Sequence, residues 1–199
     1  FNVEEYATST QMTVNKINEE ISLAKLMLEY LEYIGQEKKF YIAREQTIDG
    51  PIREIHKIMN SKKIDTAQKD VIKEILFLCM LAFNGDVTRK IRSLRPVLEN
   101  RSFSESLIDE LEEKQILDDA NDFFESETTR NEVKEKGILN LEQSIKEQVC
   151  KIVENSVEVQ KLSESKNKPI DILSRVNNLI NDVDIDSVNR MNDSLRKEF

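Results

Sequence analysis

Apolar residues recur in steps of three and four along most of the chain, the spacing that lines one face of an α-helix. The first row is Val3, Ala7, Thr10, Val14, Ile17, Ile21, Ala24, Leu28 and Leu31. It is heptad-like over about four heptads and predicts one long helix with a single apolar seam. The seam is thin at Thr10 and the two alanines, and Met27, Ile34 and Tyr41 widen it near its end. Gly35 weakens this helix without stopping it, and Asp49-Gly50-Pro51 breaks it.

A short helix follows Pro51, with Ile52, Ile55, Ile58 and Met59 on one face. Asn60–Lys63 reads as a connection, and Asp65 as the N-cap of a helix over 66–83. That helix contains Ile75–Phe83, an unbroken apolar run, so it should be buried on every side at the centre of the fold. Asn84-Gly85 ends it. Val87, Ile91, Leu94 and Leu98 continue a helical row in which Pro96 should kink or stop the helix.

Ser102 and Glu105 have capping-box spacing. They should open a helix burying Leu107, Ile108, Leu111, Ile116, Leu117 and Ala120 and running to Phe123-Phe124. A Glu/Thr-rich stretch, 125–136, leads to Gly137. Ile138, Leu141, Ile145, Val149, Ile152 and Val159 then face inward on another long helix. Ser163–Lys168, before Pro169, is the best linker in the chain. Leu173, Val176, Ile180 and Val183 form a last strong row, and Val188, Met191 and Leu195 a final piece.

The expected fold is therefore all-α, an elongated bundle of about six or seven helices with coiled-coil-like long ones near 10–34, 138–162 and 170–183. Residues 1–199 should form one helical domain with a weak sub-boundary at 163–169. Composition agrees. Four Gly and three Pro in 199 residues compare with roughly 24 at average usage, too few for a fold built on strands and tight turns. The longest apolar run falls far short of the roughly 20 residues that cross a membrane, and no signal-peptide pattern is present. Phe rather than Met at position 1 suggests a processed chain or a piece of a longer one, whose upstream part could hold an anchor.

Charge adds the least average feature. The chain has 29 Lys and Arg against 38 Asp and Glu, a net of −9. Residues 104–128 alone hold ten acids and one base, Lys114. Glu105, Asp109, Glu110, Glu112, Glu113, Asp118, Asp119 and Asp122 are the candidate acidic docking face for a basic partner. The stretches 38–63 and 86–101 are basic. Lys38, Lys39, Arg44, Arg53, Lys57, Arg89, Lys90 and Arg92 form a candidate basic patch, with Tyr30, Tyr33, Phe40 and Tyr41 beside its first part. Such a patch suits phosphate or anionic lipid; the plainer reading is a solvated face paired with the acidic helix of the same fold. The overall acidity disfavours nucleic acid as a partner.

Catalytic and metal constellations are missing from the pattern. The only histidine, His56, lies in a short helix with no Gly-x-Ser-x-Gly elbow elsewhere. Arg53 stands three residues before it, where a di-iron bundle needs Glu. One His with the distant Cys79 and Cys150 cannot close a zinc site. The glycines, at 35, 50, 85 and 137, are too far apart to cradle a nucleotide. Asp182, Asp184 and Asp186 resemble the opening of a calcium loop, but Ser187 and Asp193 stand where glycine and a bidentate glutamate are needed. Neither a cofactor nor a metal is expected. Cys79 should be a buried, inert thiol, which points to the cytoplasm.

The string Gln36-Glu37-Lys38-Lys39-Phe40-Tyr41-Ile42-Ala43-Arg44 resembles the Glu-Lys-x-Phe element near the end of the first helix in helical sensor domains of bacterial chemoreceptors. The resemblance implies a ligand-sensing bundle of a membrane-anchored receptor, outside the cytoplasm. The residues themselves point first to a non-catalytic interaction or scaffold module that binds another protein through a helix face. A heptad seam serves equally inside one chain or between two copies. An enzyme whose acids and bases are ordinary-looking helix residues is the third alternative.

Overall fold

The computed structural model describes residues 2–37, 48–129, 131 and 141–181. These residues are helical, with no strand among them. Eight α-helices have described bounds: α1 (Val3–Thr10), α2 (Val14–Tyr33), α3 (Asp49–Met59), α4 (Lys69–Ala82), α5 (Val87–Leu98), α6 (Arg101–Glu113), α7 (Ile116–Glu125) and α8 (Gln143–Asn181). A 3-10 turn, Thr66–Gln68, precedes α4. By compactness the chain divides into two units, Phe1–Val157 and Glu158–Phe199.

The first unit holds the core, and α4 is its centre as the apolar run predicts. Ile72, Leu76, Leu78 and Cys79 are completely buried, and Ile75, Phe77, Met80 and Ala82 nearly so. Aromatic rings from two neighbours close on Phe77. Tyr30 of α2 meets it edge-on at 5.4 Å, and Tyr33 lies 5.7 Å from it and 4.9 Å from Phe124 of α7. Helix α3 packs on α2, α4 and α5, α6 lies between α5 and α7, and α1 rests on α2. The first half of α8 adds Ile145, Val149, Ile152, Val153 and Val157 to the core.

The N-terminal segment departs from the expected single helix. Gln11 is left-handed (φ 56°) and Thr13 caps a new helix through the Lys16 amide, so α1 and α2 are separate. The apolar face of α2 is also rotated from the heptad row. Leu23, Leu26, Tyr30 and Ile34 are buried together with Ile17 and Leu31 of the heptad row, whereas Leu28 is 42% exposed and Ala24 lies in solvent. Both rows are helical in spacing, and the core takes the bulkier positions of each, because buried area rather than strict periodicity sets the free energy.

Other boundaries shift for local reasons. Asp49-Gly50-Pro51 is the first turn of α3 rather than a break, since proline lacks only an amide that a first turn leaves unpaired. Pro96 sits inside α5, which runs on to Leu98. The cap of α6 is Asn100, whose side chain accepts from the Phe103 amide, and Ser102 lies within the helix. Gln115 (φ 55°) divides the expected 102–124 helix into α6 and α7. Residues 163–168 do not connect two helices: α8 is continuous through them and through Pro169. Among the described helices only α8, at 39 residues, is long; α2 has 20. Residues 130 and 132–136 of the Glu/Thr-rich stretch, Ile138, and Asp182, Val183, Asp184, Asp186, Val188, Met191 and Leu195 lie outside the described residues.

Two glycines matter for packing. A Cβ at Gly50 would lie 2.7 Å from Thr88 Oγ1, so glycine permits the close approach of α3 to the start of α5. Gly85 has φ +78° and open space around it, so its role is conformational alone. Gly85→Ala should therefore destabilise the protein by about 1–2 kcal/mol, the penalty for an L-residue in that region. Urea unfolding checks this, and an unchanged midpoint would contradict it.

Candidate functional site

The basic patch and the acidic run behave differently once folded. Regular turns of α3 and α5 bring their charged faces together around Glu54, whose side chain is 8% exposed. Its Oε1 accepts from Arg92 Nη2 at 2.9 Å and Lys57 Nζ at 3.0 Å. Hydrogen bonding from Arg92 is the main influence holding the Glu54 carboxyl below the usual carboxylate range; burial opposes it and Lys57 assists.

Glu99 does the same at the far end of α5. Its Oε1 accepts from Arg95 Nε at 2.7 Å and Ser61 Oγ at 2.8 Å, and Lys63 lies 3.5 Å from Oε2. Burial pushes the Glu99 carboxyl up, but Arg95, Ser61 and Lys63 together outweigh it and leave it lowered.

Arg53 donates three hydrogen bonds, to Glu20 Oε1 and Oε2 at 3.2 and 3.3 Å and to Asp49 at 3.0 Å. Lys90 reaches Glu154 of α8 at 3.1 Å and lies 5.2 Å from the Phe83 ring centroid. Of the sequence-identified bases, Arg53, Lys57, Lys90 and Arg92 are thus engaged within the fold. Arg89 is exposed, and Lys38, Lys39 and Arg44 lie outside the described residues. Four of the basic side chains pair inside the molecule, though not with the acidic helix that the plainer reading names. Their partners are Glu20, Asp49, Glu54 and Glu154, not the acidic stretch that follows α5.

The acidic run forms α6 and α7, which pack on each other and bury Leu107, Ile108, Leu111, Ile116, Leu117 and Ala120. Two of its eight candidates carry a cation: Glu105 bonds Arg101 at 2.8 Å and Glu110 bonds Lys114 at 2.6 Å. Asp109, Glu112, Glu113, Asp118, Asp119 and Asp122 are exposed and form no ion pair among the described residues. Asp118 and Asp119 occupy the first turn of α7, where the helix dipole favours them. Glu112 and Glu113 end α6, where the same dipole disfavours a carboxylate. Fold stability therefore explains the first pair and not the second.

No protein-family model, curated protein or solved structure matches this chain. The site must be read from its own geometry. Among the described residues there is no group of three or more His, Cys, Asp or Glu that could hold a metal ion. His56 is half-buried, and its Nε2 lies 3.0 Å from the Asn60 amide one turn away. Cys79 and Cys150 are free thiols. Burial pushes the Cys79 thiol far up, keeping it protonated, and raises Cys150, whose Sγ donates to the Ala82 carbonyl at 3.5 Å. No described helix is long and apolar enough to cross a membrane.

Two features carried no sequence signal. Tyr33 Oη and both ends of the Gln36 amide are buried without hydrogen-bond partners among the described residues. The second is the exposure of the apolar row after Val157, where Leu173, Val176 and Ile180 are 68%, 46% and 63% exposed.

Proposed function

We propose that this chain is a non-catalytic helical interaction module that docks a basic protein partner on the surface of α6 and α7. One observation carries the reading. The bases of α3 and α5 are largely neutralised within the fold, while six carboxylates on α6 and α7 are exposed without a counter-charge among the described residues. Unneutralised charge of one sign on a rigid face steers association and selects a partner of opposite sign. The unfavourable placement of Glu112 and Glu113 adds support, since a sequence shaped for stability alone would end α6 in bases.

The test reverses four of these acids in one variant, Asp109→Lys, Glu112→Lys, Asp118→Lys and Asp122→Lys. Each is exposed, so the helices should persist. Proteins captured from the native host by the wild type should be lost by this variant and should weaken on the wild type as salt rises. If every captured protein binds both forms with the same salt dependence, electrostatic docking on this face is wrong.

A further inference from the structure

The second unit is described from Glu158 to Asn181, all of it within α8. Of these residues Gln160 alone is buried. The remaining turns present Val159, Leu162, Ile170, Ile172, Leu173, Val176, Leu179 and Ile180 to solvent, each between 46% and 68% exposed. Helical segments in water gain most of their stability from packing an apolar face. This one carries such a face and spends it on solvent, even though Pro169 has removed one rung of its hydrogen-bond ladder.

The spacing says what fits there. Val159 and Leu162, then Leu173, Val176 and Ile180, follow alternating steps of three and four in one heptad register, with Lys166 and Pro169 at the interrupted positions. Ile172 and Leu179 flank that row seven residues apart and widen it. A heptad row is the surface a second helix fills by knobs-into-holes packing.

Charge favours a particular occupant. Residues 158–181 hold four bases and three acids, a net of +1, against −9 for the whole chain. A strongly charged partner gains nothing from a nearly neutral face, whereas two copies of that face meet without repulsion.

We infer that residues 158–181 join a second copy of this chain, helix against helix, through Leu173, Val176 and Ile180. The inference stands apart from the acidic-face reading and can fail without it. Light scattering on the full chain over a range of concentrations tests it. The wild type should give the mass of two or more chains. Leu173→Glu with Ile180→Glu, or Val176→Glu alone, should give the mass of one, with the thermal transition of the first unit unmoved. The four-acid reversal should assemble like the wild type. A one-chain mass for the wild type at every concentration would overturn the inference and leave this face to a different protein or a lipid surface. A multi-chain mass that both row variants retain would overturn it too, by placing the contact elsewhere.

Discussion

Leu76→Ala is expected to destabilise the protein by about 3 kcal/mol, within the usual range for a fully buried leucine. The reason is the position of α4. Leu76 is 0% exposed, and its neighbours on the helix face other elements rather than water, so the structure cannot collapse into the space left behind. For a chain of this size the loss should lower Tm by about 10 °C. Calorimetry checks it. The same truncation at Leu28, a heptad-row position that is 42% exposed, should cost less than about 1 kcal/mol. Equal losses at the two sites would contradict the rotated face of α2.

Glu54→Gln should be the most damaging polar substitution. Gln keeps the volume but not the charge that accepts from Arg92 and Lys57. Both partners can return to water, at 61% and 57% side-chain exposure, so the cost at pH 7 is about 1–2 kcal/mol rather than that of a fully buried pair. Its pH dependence has a definite sign. The folded-state pKa lies below the ordinary 4.5, so the unfolded chain binds the proton more readily. The stabilisation is complete well above 4.5 and is lost as pH falls through the lower folded value. Denaturant titrations of both proteins should show a gap that is constant near neutrality and closes in acid. A gap that widens in acid would mean that Glu54 is not the acceptor holding α3 to α5.

What was legible in the sequence follows from the range of the interactions. Helix α4 could be read because its apolar run leaves no polar face, so no alternative orientation competes. The caps at Asp65 and the turn at Gly85 are equally local. The seam of α2 was misread because Leu23, Leu26, Leu28 and Leu31 offer two helical rows, and only the packing of α3 and α4 chooses between them. The exposure of the end of α8 was hidden for a related reason. An amphipathic row reports that something covers it, not whether the cover lies in the same chain.

The candidate site was half legible. The acidic run is contiguous, so composition found it, and its candidates all fall on α6 and α7. The fate of the basic patch was not readable. Its partners lie 33 residues away for Arg53 and Glu20, 38 for Arg92 and Glu54, and 64 for Lys90 and Glu154. Charge counts along the chain offer no reason to choose these acids over the acidic stretch at 104–128.

Zero-length carbodiimide coupling of the native complex, followed by mass spectrometry, is the most direct trial of docking on α6 and α7. The reaction joins a carboxylate to an amine only where the two already touch. Coupling from Asp109, Glu112, Glu113, Asp118, Asp119 or Asp122 to lysines of a second protein is the predicted result. Links to that protein arising only from carboxylates on α1, α2 or α8, with these six unreacted, would contradict it.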